Sequence, residues 1–222
     1  MTKNTKVNAA ILIIGNEILS GRTQDTNTST LATWLNSIGV KVCEVRVIPD
    51  EEKFIINTLN LLRKTYNYIF TTGGIGPTHD DITAVSVSKA FNRNYKIHKK
   101  AFRILEAYYN PGEFNEGRQK MSWMPEGADL ILNPTSGAPG FSVENVFCLP
   151  GVPSILKSML GGLKNKIVGG EPILSHTISL RTVESEIASS LTKVQEVNQD
   201  IEIGSYPFFS SGQTWCFNSY SF

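Results

Sequence analysis

Glycines and carboxylates meet within one short segment of the chain, TTGGIGPTHDDIT (71–83). Its three glycines let successive backbone N–H groups converge on an anion, and the helix predicted after them adds partial positive charge. Two adjacent aspartates follow, although carboxylates repel an anion. The residues with this potential are Gly73, Gly74, Gly76, Thr78, Asp80 and Asp81. The segment is therefore either an ordinary turn between a strand and a helix or a site that holds a phosphate together with a cation.

Asp81 has a purely structural alternative, because it could cap the following helix by accepting a hydrogen bond from the amide of residue 83 or 84. Two adjacent carboxylates beside an anion-binding turn are better explained by a divalent cation that bridges carboxylate and phosphate oxygens. We therefore predict that Asp80 and Asp81 bind Mg²⁺, Mn²⁺ or Co²⁺ and serve catalysis. His79 is predicted to be a solvated loop residue.

A second polar segment, GNEILSGRTQDTN (15–27), follows the first predicted strand. We predict that Glu17, Asp25 and Asn27 contact the ligand. Asn27 could equally cap the helix that follows, so part of this segment has a structural explanation.

Asp50 lies in IPDEE (48–52), directly after the second predicted strand. It could begin the next helix, where the helix dipole favours acidic residues. It also projects from the same predicted sheet edge as Asp81. We therefore predict a third catalytic carboxylate at this position.

The loop NPTSGAPG (133–140) is either a plain hairpin connection or part of the ligand site. Small residues beside a proline suit the close approach of a flat or phosphorylated ligand. We predict that this loop lines the same pocket as residues 73–81, through Ser136, Gly137, Pro139 and Gly140.

Strand-like and helix-like segments alternate three times in the first half of the chain. The strands are predicted at 9–14, 40–47 and 68–72, and the helices at 27–38, 51–64 and 82–91. This alternation predicts an α/β fold of three layers, with a doubly wound, mostly parallel sheet between helices. Ligands bind such sheets at the carboxyl ends of the strands, where the polar loops described above lie.

The second half of the chain has a less regular pattern. Residues 98–124 are predicted to be helical with an interruption at 110–112, and short strands follow around 141–149. Glycine and proline near residue 170 predict a domain boundary. We therefore expect a main domain, 1–170, and a small α+β appendage, 171–222, with the element order βαββ.

Composition excludes several classes of protein. A net charge of +1 provides neither a basic field for nucleic acid nor a polybasic membrane patch. No apolar run approaches the roughly 20 residues of a membrane span. Three widely spaced cysteines, Cys43, Cys148 and Cys216, predict reduced buried thiols rather than disulfides or zinc. We predict a soluble, cytoplasmic protein that binds neither nucleic acid nor membranes.

Common nucleotide and hydrolase motifs are also absent from the sequence. It contains no G-x-x-x-x-G-K-[ST], no G-x-S-x-G and no G-x-G-x-x-G followed by a ribose-binding acid. The chain is therefore neither a P-loop NTPase nor a serine hydrolase of the nucleophile-elbow type.

Taken together, these segments resemble the MoaB/Mog molybdopterin-binding family. More narrowly, the chain is similar to the CinA N-terminal branch and to the molybdopterin-binding-like domain of eukaryotic FAD synthases. The resemblance extends from about Ala9 to Ser158 and is carried by GNEILSGRTQDTN, VIPDE, TTGGIGPTHDDIT, GAPGF and LPGVPS. The tail, with ESEIASSL and IEIGSYP, resembles the small subdomain that follows in the same branch. A molybdopterin-binding-like fold is therefore expected.

The resemblance also implies roles for particular residues. Asp81 matches the aspartate shared across the broad family, and Asp80 matches an additional acid of the CinA branch. Asp50 matches the other acid of the cofactor site in Mog-type proteins, and the glycine loop matches the segment that holds the ligand phosphate. His79 stands where many CinA sequences carry lysine, so a cationic contact is not expected there. The chain ends soon after a predicted strand, which implies a shortened final element.

Three functions are compatible with these residues. The leading hypothesis is a divalent-metal-dependent nucleotide pyrophosphatase acting on ADP-ribose or FAD, as members of the CinA branch are described. An alternative is a protein of molybdenum cofactor metabolism that binds or adenylylates molybdopterin, as Mog-type members do. A third is a non-catalytic oligomerisation domain. The small appendage and the modest net charge, together with the resemblance, predict a homodimer.

Overall fold

The structure of the protein, a computed structural model, describes residues 7–172, 174–210 and 213–221. The chain divides into two compact units, Met1–Gly170 and Glu171–Phe222. Strands of the first unit form a six-stranded and a two-stranded sheet, and strands of the second form a three-stranded sheet.

The six-stranded sheet of the first unit is mostly parallel. Across the sheet its strands are Val40–Ile48 (β2), Val7–Ile14 (β1), Tyr68–Thr72 (β3), Val146–Leu149 (β8), Gly140–Val143 (β7) and Asp129–Ile131 (β6). β1 pairs in parallel with β2 and β3, and β3 pairs in parallel with β8. β8, β7 and β6 are antiparallel to one another in turn. The predicted α/β fold with a mostly parallel sheet is confirmed.

Helices of the first unit connect these strands. They are Asn16–Leu19 (α1), Asn27–Ser37 (α2), Glu52–Thr65 (α3), Thr83–Ala90 (α4), Lys99–Tyr108 (α5), Glu116–Lys120 (α6) and Pro153–Met159 (α7), which a 3₁₀ helix, Leu160–Lys166, continues. Within the described residues, no helix combines the length and the apolar character needed to cross a membrane.

Two hydrophobic cores lie on opposite faces of the inner strand β1. Residues 9–14 are all buried, and alternate side chains belong to different cores. Ile11 packs in the core that contains Leu31 of α2, whereas Leu12 packs in the core that contains Ile55 of α3. Because both faces of the strand are covered, its sequence is continuously apolar rather than alternating.

The predicted helical region 98–124 is wrong at its C-terminal end. After α5 and α6 the chain forms a strand, Trp123–Pro125 (β5), which pairs antiparallel with Tyr95–Ile97 (β4). Pro125 disfavours the helical conformation at the residue before it, and the antiparallel pairing supplies the backbone hydrogen bonds that a helix would have made.

The second unit contains a three-stranded antiparallel sheet and one helix. Its elements are Ser175–Leu180 (β9), Glu184–Val197 (α8), Glu202–Ser210 (β10) and Gln213–Ser221 (β11), with the strand order β10, β11, β9. Burial is described for residues 171–172 and 174–207 of this unit, and none of them is buried. This range therefore gains little hydrophobic stabilisation by itself.

Candidate functional site

The carboxyl ends of four parallel strands meet at one edge of the six-stranded sheet. Gly15, which follows β1, donates its N–H to the carbonyl of Ile48 at the end of β2, 3.2 Å away. Gly73, which follows β3, donates to the carbonyl of Leu149 at the end of β8, at 3.1 Å. The chain runs from β1 to β2 on one side of β1 and then crosses to β3 on the other side. Ligands of open α/β sheets bind at such a switch point.

The glycine loop, 73–76, requires glycine at its first two positions. Gly73 has a φ of 99° and Gly74 a φ of 68°, in the left-handed region that other residues rarely adopt. The loop is fixed by Thr83 of α4, whose hydroxyl donates to the Gly73 carbonyl at 3.0 Å and whose N–H donates to the Gly74 carbonyl at 2.9 Å. A Cβ on Gly74 would lie 2.2 Å from the Thr83 hydroxyl oxygen. The glycines therefore allow a turn that no side chain would fit.

The N–H groups of this loop are available to a ligand. Within the described part of the chain, the amides of Gly74, Ile75 and Gly76 donate to no acceptor. All three residues are half-buried. Successive unpaired amides in a left-handed turn before a helix are suited to an anion.

The predicted helix-capping alternative for Asp81 is wrong. α4 begins at Thr83 without a side-chain cap, because the Thr83 N–H is already bonded to Gly74. Asp81 instead closes the turn 78–81, where its Oδ2 accepts hydrogen bonds from the N–H and the hydroxyl of Thr78 at 2.8 and 2.5 Å. A Cβ on Gly76 would lie 2.7 Å from the same oxygen. Asp81 is thus held against the glycine loop, while Asp80 and His79 are exposed.

Asp50 joins the carboxylates at this edge. It does not cap α3, whose N-cap is Glu51, but accepts a hydrogen bond from the Asn16 N–H at 2.8 Å. Burial raises the pKa of the Asp50 carboxyl, the bond from Asn16 opposes this, and the negative charges of Glu17, Asp80 and Asp81 raise it further. Asp50 therefore lies close enough to Glu17, Asp80 and Asp81 to be repelled by each of them.

Asp25 and Asn27 have structural roles beside a cleft. The Oδ1 of Asp25 accepts hydrogen bonds from the N–H groups of Asn27 and Thr28, at 2.9 and 3.3 Å, at the start of α2. The buried Asn27 donates through Nδ2 to the carbonyl of Gly151 at 2.7 Å, and its Oδ1 has no partner. The Asn27 cleft is lined by Glu17, Asp25, Asn27, Thr72, Gly73 and Gly151, among others.

The 133–140 loop contributes one residue to the site. Pro139 lines a second cleft, the Lys120 cleft, together with Ile75, Gly76, Asp81, Tyr95, Lys120 and Trp123, among others.

The other predicted residues of this loop make local contacts. Ser136 accepts a hydrogen bond from Asn133, at 2.6 Å, and Gly137 (φ 71°) packs against the ring of Tyr108. Gly140 begins β7, where a Cβ would lie 2.4 Å from the Cys148 carbonyl oxygen. Local packing thus accounts for Ser136, Gly137 and Gly140, and these three residues do not line either cleft.

The structure also adds residues that the sequence patterns did not indicate. Lys120 at the end of α6 lines the Lys120 cleft, and Trp123 and Tyr95 form a tilted aromatic pair there, with ring centroids 5.4 Å apart. No local motif distinguishes these residues in the sequence. They reach the site only because the β4–β5 pairing and α6 pack next to the glycine loop.

The oxygen donors at this edge are compatible with a divalent cation that arrives with a phosphate. Among the described residues, no group of three or more His, Cys, Asp or Glu side chains forms a ready metal site. Mg²⁺ commonly takes only one or two protein carboxylates and completes its coordination with water and ligand phosphates. The carboxylates of Asp50, Asp80 and Asp81 are hard donors of this type.

We expect Asp50→Asn to raise the melting temperature at pH 7. Because the pKa of Asp50 is raised in the folded protein, the wild type loses stability as the pH rises from the ordinary value of 3.8 through the raised one. The asparagine variant is spared this loss and can still accept the bond from Asn16. Thermal unfolding of both proteins between pH 3.8 and pH 7 should show that the difference in melting temperature vanishes towards pH 3.8. Equal melting temperatures at pH 7 would contradict the raised pKa.

Comparison with known proteins identifies related sequences along nearly the whole chain. A family model for a probable molybdopterin binding domain matches residues 10–176, and a model for the middle domain of FAD synthase matches residues 172–215. A protein of Archaeoglobus fulgidus is 35% identical over 197 residues, which cover 89% of this chain and 84% of that protein.

Solved structures give the same result for the fold. The CinA protein of Thermoplasma acidophilum is 30% identical with a TM-score of 0.68, over 74% of this chain and 99% of that one. The molybdopterin biosynthesis enzyme MoaB of Thermus thermophilus, 18% identical with a TM-score of 0.50 over 72% of this chain and 91% of its own, shares the fold. With the family model matched over most of its length, the chain belongs to the family of probable molybdopterin-binding domains.

Proposed function

We propose that the protein binds a phosphate-bearing molybdopterin-type ligand at the carboxyl edge of its six-stranded sheet. The observation that carries the proposal is the set of amides at Gly74, Ile75 and Gly76, which donate to no acceptor among the described residues. The phosphate would accept hydrogen bonds from these amides, and the positive end of α4 would favour its charge. Family membership supports a pterin as the rest of the ligand.

Two clefts border the glycine loop and would accommodate the parts of the ligand beyond the phosphate. Gly73 lines the Asn27 cleft, and Gly76 lines the Lys120 cleft. The unpaired Oδ1 of Asn27 would accept a hydrogen bond from an N–H group, of which a pterin has several. The Tyr95–Trp123 pair offers apolar surface for a flat ring.

Direct binding tests this proposal. The purified chain should retain molybdopterin on gel filtration under anaerobic conditions, and the bound pterin can be measured by the fluorescence of its oxidation product. Competition by inorganic pyrophosphate would support a phosphate contact. A chain that retains no molybdopterin, although correctly folded by circular dichroism, would reject the pterin assignment.

A second candidate function is hydrolysis of a nucleotide pyrophosphate, with ADP-ribose or FAD as the substrate. The observation that favours it is the gathering of Glu17, Asp80 and Asp81 around Asp50, because binding alone does not require carboxylates that repel Asp50. The match of residues 172–215 to the middle domain of FAD synthase also supports a nucleotide such as FAD as the substrate.

In this second function the residues of the chain would act as follows. The amides of the glycine loop would stabilise negative charge that develops on the phosphoryl oxygens. Asp80 and Asp81 would hold a divalent cation, and Asp50 would orient the attacking water. A bound Mg²⁺, Mn²⁺ or Co²⁺ supplies Lewis acidity and neutralises phosphate charge. Thr78 would keep the Asp81 carboxylate in place through its two hydrogen bonds.

Turnover separates the two candidates. ADP-ribose and FAD are incubated with the protein and each of the three metals, and release of AMP is followed by chromatography. AMP formation that chelator abolishes supports the pyrophosphatase, whereas retention of molybdopterin without AMP formation supports the binding protein. If the protein neither forms AMP nor retains molybdopterin, the third hypothesis, a non-catalytic oligomerisation domain, is supported.

We further propose that the protein is a homodimer. The second unit supports this, because no residue of 171–172 and 174–207 is buried and apolar side chains such as Ile178, Val197 and Tyr206 are exposed there. We expect sedimentation equilibrium at micromolar concentration to give twice the chain mass of 24.5 kDa. A single species of 24.5 kDa would contradict the dimer.

A further inference from the structure

Lys120 is brought to the glycine loop by a short, well-anchored helix. Asn115 caps α6 by accepting the Arg118 N–H at 3.0 Å, and Gln119 donates to the carbonyl of Phe114 at 3.0 Å. Gly117 places α6 close to Pro77, because a Cβ on Gly117 would make an ordinary van der Waals contact with the Pro77 carbonyl oxygen at 3.5 Å. The ammonium group of Lys120 donates to the carbonyl of Thr78, in the turn that Asp81 closes.

The charges around Lys120 are predominantly negative. Asp80 carries an exposed carboxyl near Lys120, and the positive charge of Lys120 is one of the causes that lower the pKa of this carboxyl. Asp81 lines the same cleft as Lys120, and Asp50 lies close to both aspartates. An incoming phosphate would meet these carboxylates as well as the loop amides. The ammonium group on the wall of the cleft would offset the repulsion.

We propose that Lys120 is a ligand-binding residue that contacts the phosphate held by the glycine loop. The inference rests on the proposed phosphate site, and it adds the residue that makes an acidic site receptive to an anion. The contact of Lys120 with Thr78 holds the side chain half-buried at the cleft wall beside Gly76. On phosphate binding, the flexible stem allows the ammonium to exchange the neutral carbonyl for a charged oxygen, which forms a stronger hydrogen bond.

The test measures the affinity of metal-free protein for inorganic pyrophosphate and ADP-ribose by calorimetry. Lys120→Gln removes the charge but keeps a long polar side chain that can still donate to Thr78. We expect it to weaken binding of both probes by about 10-fold or more, the scale of a charge-assisted hydrogen bond. Lys120→Arg should restore most of the affinity. Added salt should weaken the wild type more than Lys120→Gln, because a charge contact is screened.

Lys96→Gln is the matched control. Lys96 lies on β4 and is paired with Glu126, and the substitution removes the same charge as Lys120→Gln. The affinities of Lys96→Gln for both probes should equal those of the wild type. Lys120→Gln with wild-type affinity would overturn the assignment while the phosphate site itself stands. A lowered melting temperature with equal losses in Lys120→Gln and Lys120→Arg would make Lys120 only a clamp on the turn. A wild type that binds neither probe would remove the phosphate site and this inference together.

Discussion

Asp81→Asn is expected to lower the rate of ADP-ribose or FAD hydrolysis by about 100-fold or more, the scale for loss of one electrostatic contributor to a transition state. Asparagine keeps the size of the side chain, and its Oδ1 can still accept the Thr78 N–H. It removes the negative charge that would hold a cation beside the phosphate. The free energy of unfolding should change by only about 1 kcal/mol, because one hydrogen bond of the turn is weakened.

Two further variants make this result specific. Asp80→Asn should reduce the rate less severely, because Asp80 is exposed whereas Asp81 is held against the glycine loop. Asp129→Asn removes the same charge from an exposed residue at the start of β6, and it should leave the rate unchanged. Melting temperature and AMP release are measured for all three across a metal titration. An Asp81→Asn protein with the wild-type rate and metal response would end the metal-site hypothesis and leave Asp81 as the residue that closes the turn.

Gly76→Ala is expected to reduce the affinity for inorganic pyrophosphate by about 10- to 100-fold (about 1.4 to 2.8 kcal/mol). The added methyl group would lie 2.7 Å from Oδ2 of Asp81 and 3.1 Å from its Cγ, so the carboxylate must move. Gly76 does not have a positive φ, and thus the change acts through this contact rather than through backbone strain. The cost in stability should stay within about 1–3 kcal/mol, the range for one extra methyl group in a packed position.

Gly161→Ala is the matched control for this substitution. Gly161 also lacks a positive φ, and a Cβ there would have no described atom within 4 Å. Calorimetric titration should therefore give wild-type affinity for Gly161→Ala and weak binding for Gly76→Ala. Equal affinities for the two variants would show that the space between Gly76 and Asp81 is not part of the phosphate site.

The sequence alone was sufficient for the parallel layers of the fold and for the position of the glycine loop. Strands buried on both faces need continuous apolar residues, and 9–14 show this pattern before any contact is known. Helices need apolar residues at a spacing of three and four, as in α2, where Leu31 and Leu35 are buried. Left-handed turns need glycine, which marks Gly73 and Gly74. These features are local, so the residues themselves reveal them.

The roles of individual side chains at the site required the tertiary structure. Asp81 has the residue type and position of a helix cap, but the Thr83 amide that it would cap is bonded to Gly74 instead. Gly137 has the small size suited to a ligand contact, but it packs against Tyr108. Lys120 belongs to no motif, and it reaches Thr78 across 42 residues of chain. Such contacts depend on how distant elements pack, and local residue patterns contain no information about which of several possible partners will be nearest.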